Sequence, residues 1–441
     1  MKIIIAGAGK VGFELARALS SVHHVAVIDK NTEALERLHE LIDILPVAGD
    51  VENPETYESL FEGRADIFIA VTDSDEANLL STLIIKESVA VEKILIRLRN
   101  SYFAKGTILE KLAVTQTVFP FVHSAETIRL LLEYPEANNV KRISSSACRL
   151  ISIEVDNPDF EEKAITEFES DSVKIVGIER NKQFIVPAGN ESILHNDLLY
   201  FLGRGEVVER FYSRLDLKMP RKIKYAVVFG AHHLGLEIAK VLTEEGVKVK
   251  VIEKDLEHCK KASEVLQEKA LVINSHYDES ILYEEENLLS ADMVIMTGSY
   301  DEENIVRSLQ AKEYGIPKVV AINNEKKYYD LMHRLGIIVA RGPRSTAYYD
   351  LLEMIASKSV ISEKHFCGGR GIILSRKIYP KSVLIGKAWD TFAFQSSVLL
   401  LEKNGILLTS LAGILLEEGD MIFLIVSAND EEEGKRWISS L

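Results

Sequence analysis

Six residues near the start of the chain, Gly7-Ala8-Gly9-Lys10-Val11-Gly12, have the types and spacing to hold a pyrophosphate. They follow an apolar strand-like run and open a helix-period stretch. Asp29 closes the next apolar run, 17 residues after the last glycine. In that context Gly7 allows a tight turn, Gly9 lets backbone N–H groups approach an anion with no Cβ in the way, and Gly12 lets helix and strand pack closely. The helix N-terminus adds positive potential. Asp29 is placed to accept hydrogen bonds from a ribose diol and to repel a 2′-phosphate, which favours NAD(H) over NADP(H). ATP and ADP share the adenosine end and stay open as alternatives. Lys10 and Lys30 are within reach of phosphates, although either reads equally as a surface lysine.

The same constellation recurs. Gly7 and Gly230 lie 223 positions apart, Asp29 and Glu253 224, and Asn78 and Asn304 226, while Pro120 and Pro343, like Asp197 and Asp420, are again 223 apart. The chain reads as a tandem duplication. The second glycine loop is Gly230-Ala231-His232-His233-Leu234-Gly235, with His232 at the position of Gly9. An imidazole there takes the space a pyrophosphate needs, so this second site, Gly230 to Gly235 with Glu253, His276 and Thr297, is expected to be degenerate. Gly49-Asp50 is replaced by Ser275-His276, whereas Thr297 and Asn304 persist. His232 and His233 are adjacent and point in different directions, with no His-x3-His pair nearby, so no metal site is expected.

The elements that position these residues follow from periodicity. Strand-like runs at 2–6, 25–28, 67–71 and 93–96 alternate with helix-period stretches at 11–20, 32–41 and 76–86, the pattern of βα units on a parallel sheet. A helix is expected over 124–133, capped by Ser124, with a counterpart at 345–355. Residues 143–211 hold short β-rich runs at 149–155, 173–180 and 197–202 with turn residues between. Each copy thus comprises a large α/β lobe and a small mixed lobe.

With 441 residues, 47% hydrophobic and 27% charged, the composition is that of folded globular domains. A formal charge of −15 has the wrong sign for gripping nucleic-acid phosphates. Cys148, Cys259 and Cys367 stand far apart, which suggests neither a disulfide framework nor a cysteine zinc site and suits a reducing cytosol. The apolar runs are strand-length, and the N-terminus lacks a signal-peptide pattern. Arg214, Lys218, Pro220, Arg221, Lys222 and Lys224 make a short basic join, read as a solvated connector, and the glutamate runs at 284–286 and 431–433 as exposed helix faces.

Over essentially its full length the chain resembles the TrkA family of cytosolic regulatory subunits of bacterial and archaeal Trk potassium uptake systems, built of two tandem RCK (regulator of potassium conductance, or KTN) units. The resemblance rests on Gly7 to Gly12, Asp29, Gly49-Asp50, Val71-Thr72-Asp73-Ser74-Asp75-Glu76-Ala77-Asn78 and Arg97. It continues in Val176-Gly177-Ile178-Glu179-Arg180, Pro187 and Asn196-Asp197-Leu198-Leu199-Tyr200. It implies an α/β fold duplicated as a Rossmann-like lobe at 1–120, a crossover helix at 121–140, a small lobe at 141–213 and a linker at 214–223. The second copy would then run as a Rossmann-like lobe at 224–342, a crossover helix at 343–360 and a small lobe at 361–441.

The resemblance further implies a non-enzymatic gating ring, a homotetramer, that binds NAD(H) or ATP/ADP. Such a ring sits on the inner membrane face through a potassium-translocating subunit of the TrkH or TrkG type. Gly7, Gly9, Lys10, Val11, Gly12, Asp29 and Lys30 would hold phosphates and ribose, Asp50 and Val51 would lie near the adenine, and Thr72 and Asp73 beside the ligand. Asn78 and Arg97 match family positions near the cleft, and read equally as a helix-face amide and a strand-end ion pair. An NAD-dependent dehydrogenase is the rival, but it requires an acid/base opposite the nicotinamide, and isolated histidines such as His195 and His365 supply none that convinces. A nucleotide sensor acting on a soluble partner is the other alternative.

Overall fold

The structure is a computed structural model that describes residues 1–441 apart from 59, 106, 136, 144–147, 171, 205–206, 209–214, 216–221, 277–281, 356–361, 379–381, 395–396 and 411. Much of the basic join, including Arg214, Lys218, Pro220 and Arg221, lies outside the described residues. The chain packs as two compact units, Met1–Ser124 with Gly342–Ala356, and Ala125–Arg341 with Ser357–Leu441.

In the first unit, β1 (Lys2–Ala6), β2 (His24–Asp29), β3 (Leu45–Ala48), β4 (Arg64–Ala70), β5 (Ala90–Arg97) and β6 (Gln116–Val118) form a sheet in the order β3-β2-β1-β4-β5-β6. The pairs β1–β2 and β1–β4 are parallel. Helices Lys10–Ser20, Thr32–Leu41 and Asp75–Ser88 connect the strands. Along β1 the side chains alternate between two cores: Ile3 and Ile5 pack with Leu15 and Val27, Ile4 and Ala6 with Phe68 and Ile96. Burial on both faces is why these strands read as continuous aliphatic runs. The edge strands β3 and β6 carry no such signal, because β3 is Leu-Pro-Val-Ala, mostly exposed, with a proline tolerated only at an edge.

The helix Pro343–Ile355, from the second copy's sequence, completes the first unit. Ala347, Leu351 and Ile355 enter the same core as Ile3 and Leu15. Lys93 Nζ donates to the Met354 carbonyl near the helix end. The first copy's helix runs Pro120–Glu133, beginning four residues before the expected cap. Proline presets φ for a first helical turn and has no N–H to satisfy there. Ser124 is therefore internal and fully buried, its hydroxyl 3.0 Å from Thr346 Oγ1.

The second unit repeats the large lobe with β12 (Tyr225–Phe229), β13 (Lys248–Glu253), β14 (Ala270–Asn274), β15 (Met293–Met296), β16 (Lys318–Asn323) and β17 (Ile338–Arg341). Their order, β14-β13-β12-β15-β16-β17, is that of the first lobe. Arg129, on the helix from the first copy, pairs with Glu244 and Glu245 at the end of helix His233–Glu244. Fully buried Lys318 donates to the carbonyls of Pro135 and Ala137 at 3.0 and 2.9 Å.

Two five-stranded antiparallel sheets make up the small lobes. In the first, β7 (Asn139–Arg142), β8 (Cys148–Glu154), β9 (Val173–Arg180), β10 (Gln183–Ile185) and β11 (Leu198–Arg204) are matched in the second by β18 (Ser362–Phe366), β19 (Gly371–Lys377), β20 (Val398–Lys403), β21 (Ile406–Leu408) and β22 (Met421–Ser427), in the same spatial order. The two share one core containing Val176, Tyr200, Phe366, Val398 and Phe423. Beside it, Glu179 receives His333 Nε2 at 2.6 Å, Arg370 Nη2 at 2.8 Å and the Cys367 thiol at 3.3 Å. Burial pushes the Glu179 carboxyl up, but His333 and Arg370 outweigh it and bring it to about 2.

Candidate functional site

The first glycine loop sits at the carboxyl end of β1, beside β4, where the strand order reverses and open α/β sheets bind their ligands. Gly7 has φ +112°, and a Cβ on it would meet Thr72 N at 3.0 Å. A Cβ on Gly12 would lie 1.8 Å from the Gly7 carbonyl oxygen, so these two glycines hold strand against helix. Gly9 differs. Its φ of −64° suits any residue, and a Cβ there would meet nothing within 4 Å. The glycine at position 9 leaves open space above a helix N-terminus, with no torsional requirement for it.

Asp29 anchors the loop: Oδ2 accepts Ala8 N at 2.6 Å and Oδ1 accepts Asn31 N at 2.8 Å. Each oxygen keeps a lone pair for a diol. Gly49 N donates to the Asp29 carbonyl at 3.1 Å, which brings the exposed Asp50 to the same end of the sheet. Val51 is buried, its carbonyl accepting Tyr57 OH at 2.7 Å. Lys10 and Lys30 are exposed, Val11 is buried.

Across the cleft, Asn78 is 1% exposed and fully engaged. Its oxygen accepts Thr72 N at 2.9 Å, and its amide donates to the carbonyls of Thr72 at 3.1 Å and Arg97 at 2.9 Å. It clamps the ends of β4 and β5 together, which makes it the wall of the cleft. Arg97 is 5% exposed, with Nη1 3.2 Å from Asp73 Oδ1, and its Nε has no hydrogen-bond partner. A buried guanidinium donor left unpaired carries a desolvation cost. Asp73 is exposed, and its carboxyl is raised by desolvation but held below the usual range by Arg97 and by Arg99, 2.6 Å away. No motif in the sequence singles out Arg99. The signal for it is Asp75, which accepts the N–H groups of Arg99 and Asn100 at 2.8 and 2.9 Å and so fixes their loop at the cleft.

The second lobe reproduces the frame and changes the lining. Gly230 has φ +107°, Gly235 would drive a Cβ to 1.9 Å from the Gly230 carbonyl oxygen, and Glu253 Oε2 accepts Ala231 N at 2.6 Å. Asn304 donates to the carbonyls of Gly298 and Ile322, both at 3.0 Å. His232 adopts φ −67° and ψ 178°, the conformation of Gly9, and its ring packs edge-on against His258 with centroids 4.4 Å apart. His233 is exposed and Leu234 buried, as are Lys10 and Val11. Ser275 N donates to the Glu253 carbonyl, which sets the exposed His276 at the position of Asp50.

Thr297 requires a correction. Thr297 N donates to the Phe229 carbonyl as Val71 N does to that of Ala6, so Thr297 corresponds to Val71, and Gly298 stands where Thr72 does. Its hydroxyl donates to the Phe229 carbonyl at 2.8 Å, tying strand to strand. Periodicity cannot resolve that one-residue shift, because both positions end an apolar run. By the same register Ile322 replaces Arg97 and Ser299 replaces Asp73. A cavity with about 470 Å³ of open space lies in this second cleft, lined among others by His232, Lys254, Tyr300, Asn304 and Arg307.

No helix among the described residues is long and apolar enough to cross a membrane. The TrkA-N domain family matches residues 3–120 and 226–341, and the TrkA-C domain family residues 150–216. The Trk system potassium uptake protein TrkA homolog of Archaeoglobus fulgidus is 29% identical over 392 residues, covering 88% of each chain. TrkA homolog 1 of Methanosarcina mazei is 27% identical over 98% of this chain and 99% of its own, and TrkA of Halomonas elongata 26% over 97% and 96%. Among solved structures, the GsuK RCK domain superposes over 100% of this chain and 95% of its own with a TM-score of 0.60 at 18% identity. The GsuK channel bound to NAD gives 0.61 over 100% and 79%, also at 18% identity.

Proposed function

The chain belongs to the TrkA-N domain family, and from that premise we propose that it is the nucleotide-binding regulatory subunit of a Trk-type potassium uptake system. The first lobe takes NAD(H), with ATP or ADP as competing occupants. The observation that carries this reading is the open space over Gly9 at the carboxyl end of β1, with Asp29 anchoring the loop through Ala8 N and keeping lone pairs for a ribose diol. The full-length likeness to relatives named as TrkA supplies the physiological context.

In this reading Gly7, Gly9 and Gly12 shape the phosphate cradle, and Lys10 and Lys30 flank it. Asp29 receives the ribose, Asp50 and Val51 border the adenine, and Thr72, Asp73 and Arg97 face the far half of the ligand. Asn78 holds the strand ends in register. NAD(H), when bound, supplies no chemistry of its own; it acts as a ligand whose two ends touch different walls of the cleft. A ligand moves a regulator only by its differential affinity for two shapes. The adenosine end is common to all the nucleotides, so the part that crosses toward Asp73, Arg97 and Arg99 is what distinguishes them. Four chains would form the ring, held at the inner membrane face by the potassium-translocating subunit. The lobe bounds 1–120, 141–213, 224–342 and 361–441, with the intervening helices and linker, are part of the same proposal.

Isothermal titration of the purified chain with NADH, NAD, ATP and ADP tests the site. One equivalent of dinucleotide per chain, lost in Gly9→Asp, is the expected outcome. Two equivalent sites per chain would overturn the asymmetry, and undiminished binding by the variant would overturn the assignment. Co-purification with a membrane potassium transporter tests the partner, and recovery of a soluble protein in its place would sink it.

A further inference from the structure

The second cleft holds a cluster of metal-ligating groups: His232 at the start of helix His233–Glu244, Glu253 at the end of β13, and His258 in the first turn of helix Leu256–Leu266. One ligand atom from each lies within 4.8 Å of the others. We propose that these three residues form a site for a divalent transition-metal ion of the zinc class, in the space that the first lobe leaves open above Gly9.

The donor set is right for such an ion. Two imidazoles and a carboxylate suit Zn²⁺, and three protein ligands leave a fourth position for water. Tetrahedral ligands about 2.0–2.1 Å from zinc stand roughly 3.3 Å apart, so closing the site takes side-chain movement of about 1 Å. Glu253 is fully buried and fixed by Ala231 N at 2.6 Å and Asp255 N at 2.9 Å, each oxygen keeping a lone pair. The imidazoles are the mobile partners, since His258 is 42% exposed. His258 Nδ1 has no hydrogen-bond partner, and Asp255 Oδ1 lies 3.6 Å from it. A small rotation makes Asp255 the carboxylate that orients the ring and leaves Nε2 for the cation, the usual support behind a metal-bound histidine. Two carboxylates beside the imidazoles also oppose the positive end of the helix, which by itself disfavours a cation.

Two similar clusters are already neutralised. Glu179, with His333 and Cys367, is paired to Arg370 at 2.8 Å, and Glu363, with His365 and Glu431, to Lys435 at 2.8 Å. Glu253 instead accepts backbone N–H groups. The first lobe carries neither histidine: Gly9 matches His232, and Ala34, whose N–H is capped by Asn31 as that of His258 is by Asp255, matches His258.

Titration of the untagged full chain with Co²⁺, followed by visible absorption, tests the site. The expected result is a tetrahedral cobalt spectrum saturating at one ion per chain and displaced by Zn²⁺. His258→Ala and His232→Gly, which install the residues the first lobe carries at these positions, should each weaken binding by at least about 100-fold. That exceeds the roughly 10–100-fold typical of a supporting partner, which Asp255→Asn should show. His333→Ala should leave the spectrum unchanged. Absence of a tetrahedral spectrum, its survival in both histidine variants with native circular dichroism, or its loss in His333→Ala would each overturn the proposal.

Discussion

The two Rossmann-like lobes have the same strand order, the same two close-packed glycines and a carboxylate at the end of the second strand, yet their clefts differ at several positions of the lining. Gly7 and Gly230, Gly12 and Gly235, Asp29 and Glu253, and Asn78 and Asn304 all bind or contact backbone, and all persist. The side chains at Gly9, Asp73 and Arg97 have no such duty, and these positions become His232, Ser299 and Ile322; Asp50, which accepts Glu52 N, becomes His276. The comparison teaches that a dinucleotide fingerprint is partly a folding signature. Its acid and outer glycines persist in a lobe whose cleft is lined for something else, because the loop collapses without them.

The small lobes supply the most energetic test of how asymmetric the halves are. Glu179 of the first joins His333 and Arg370, and Glu179→Gln, which leaves the imidazole and the guanidinium without their carboxylate, should cost about 3–5 kcal/mol in denaturant unfolding. Because its carboxyl is held near 2, below the ordinary 4.5, its contribution is complete above about 4.5 and disappears as pH falls through 2. The gap between wild type and variant should close over that window, and a constant gap would remove the ion pairs from the explanation.

Next come the glycines common to both large lobes. Gly12→Ala and Gly235→Ala put a Cβ 1.8 and 1.9 Å from a backbone oxygen, and each should destabilise by about 3 kcal/mol or more in thermal melts. A large difference between the two would break the claim that these positions do the same work for the fold in both lobes. Gly9→Asp should lose NADH by at least about 100-fold with an unchanged melting temperature, since its backbone and surroundings accept a side chain. His232→Gly should leave any dinucleotide binding in the second cleft at least about 10–100-fold weaker than in the first, because Ile322 supplies no guanidinium. Smallest is Arg97→Ile, which copies the second lobe into the first. It should weaken NADH by about 10–100-fold, the worth of a charged hydrogen bond, measured calorimetrically.

Much of this molecule was legible in its residues. The duplication, the alternation of strands and helices and the frame of both glycine loops follow from local patterns: aliphatic runs buried on two faces, glycines where a Cβ has no room, an acid at a strand end. What local pattern could not carry was pairing across distance. Residue type aligns Thr297 with Thr72, and only the ladder to Phe229 sets it at the position of Val71. The edge strands at Leu45–Ala48 and Gln116–Val118 were missed for want of hydrophobicity. The sequence sets His232 beside His233, whereas His258 and Glu253, 26 and 21 positions away, meet it only when β13 and the following helix fold beside the loop. Sequence by itself determined the frames, since torsion and burial act on each residue where it stands. The tertiary structure decided which side chains face one another across each cleft, and that the helix Pro343–Ile355 completes the first lobe's core, because those contacts join segments that no local period connects.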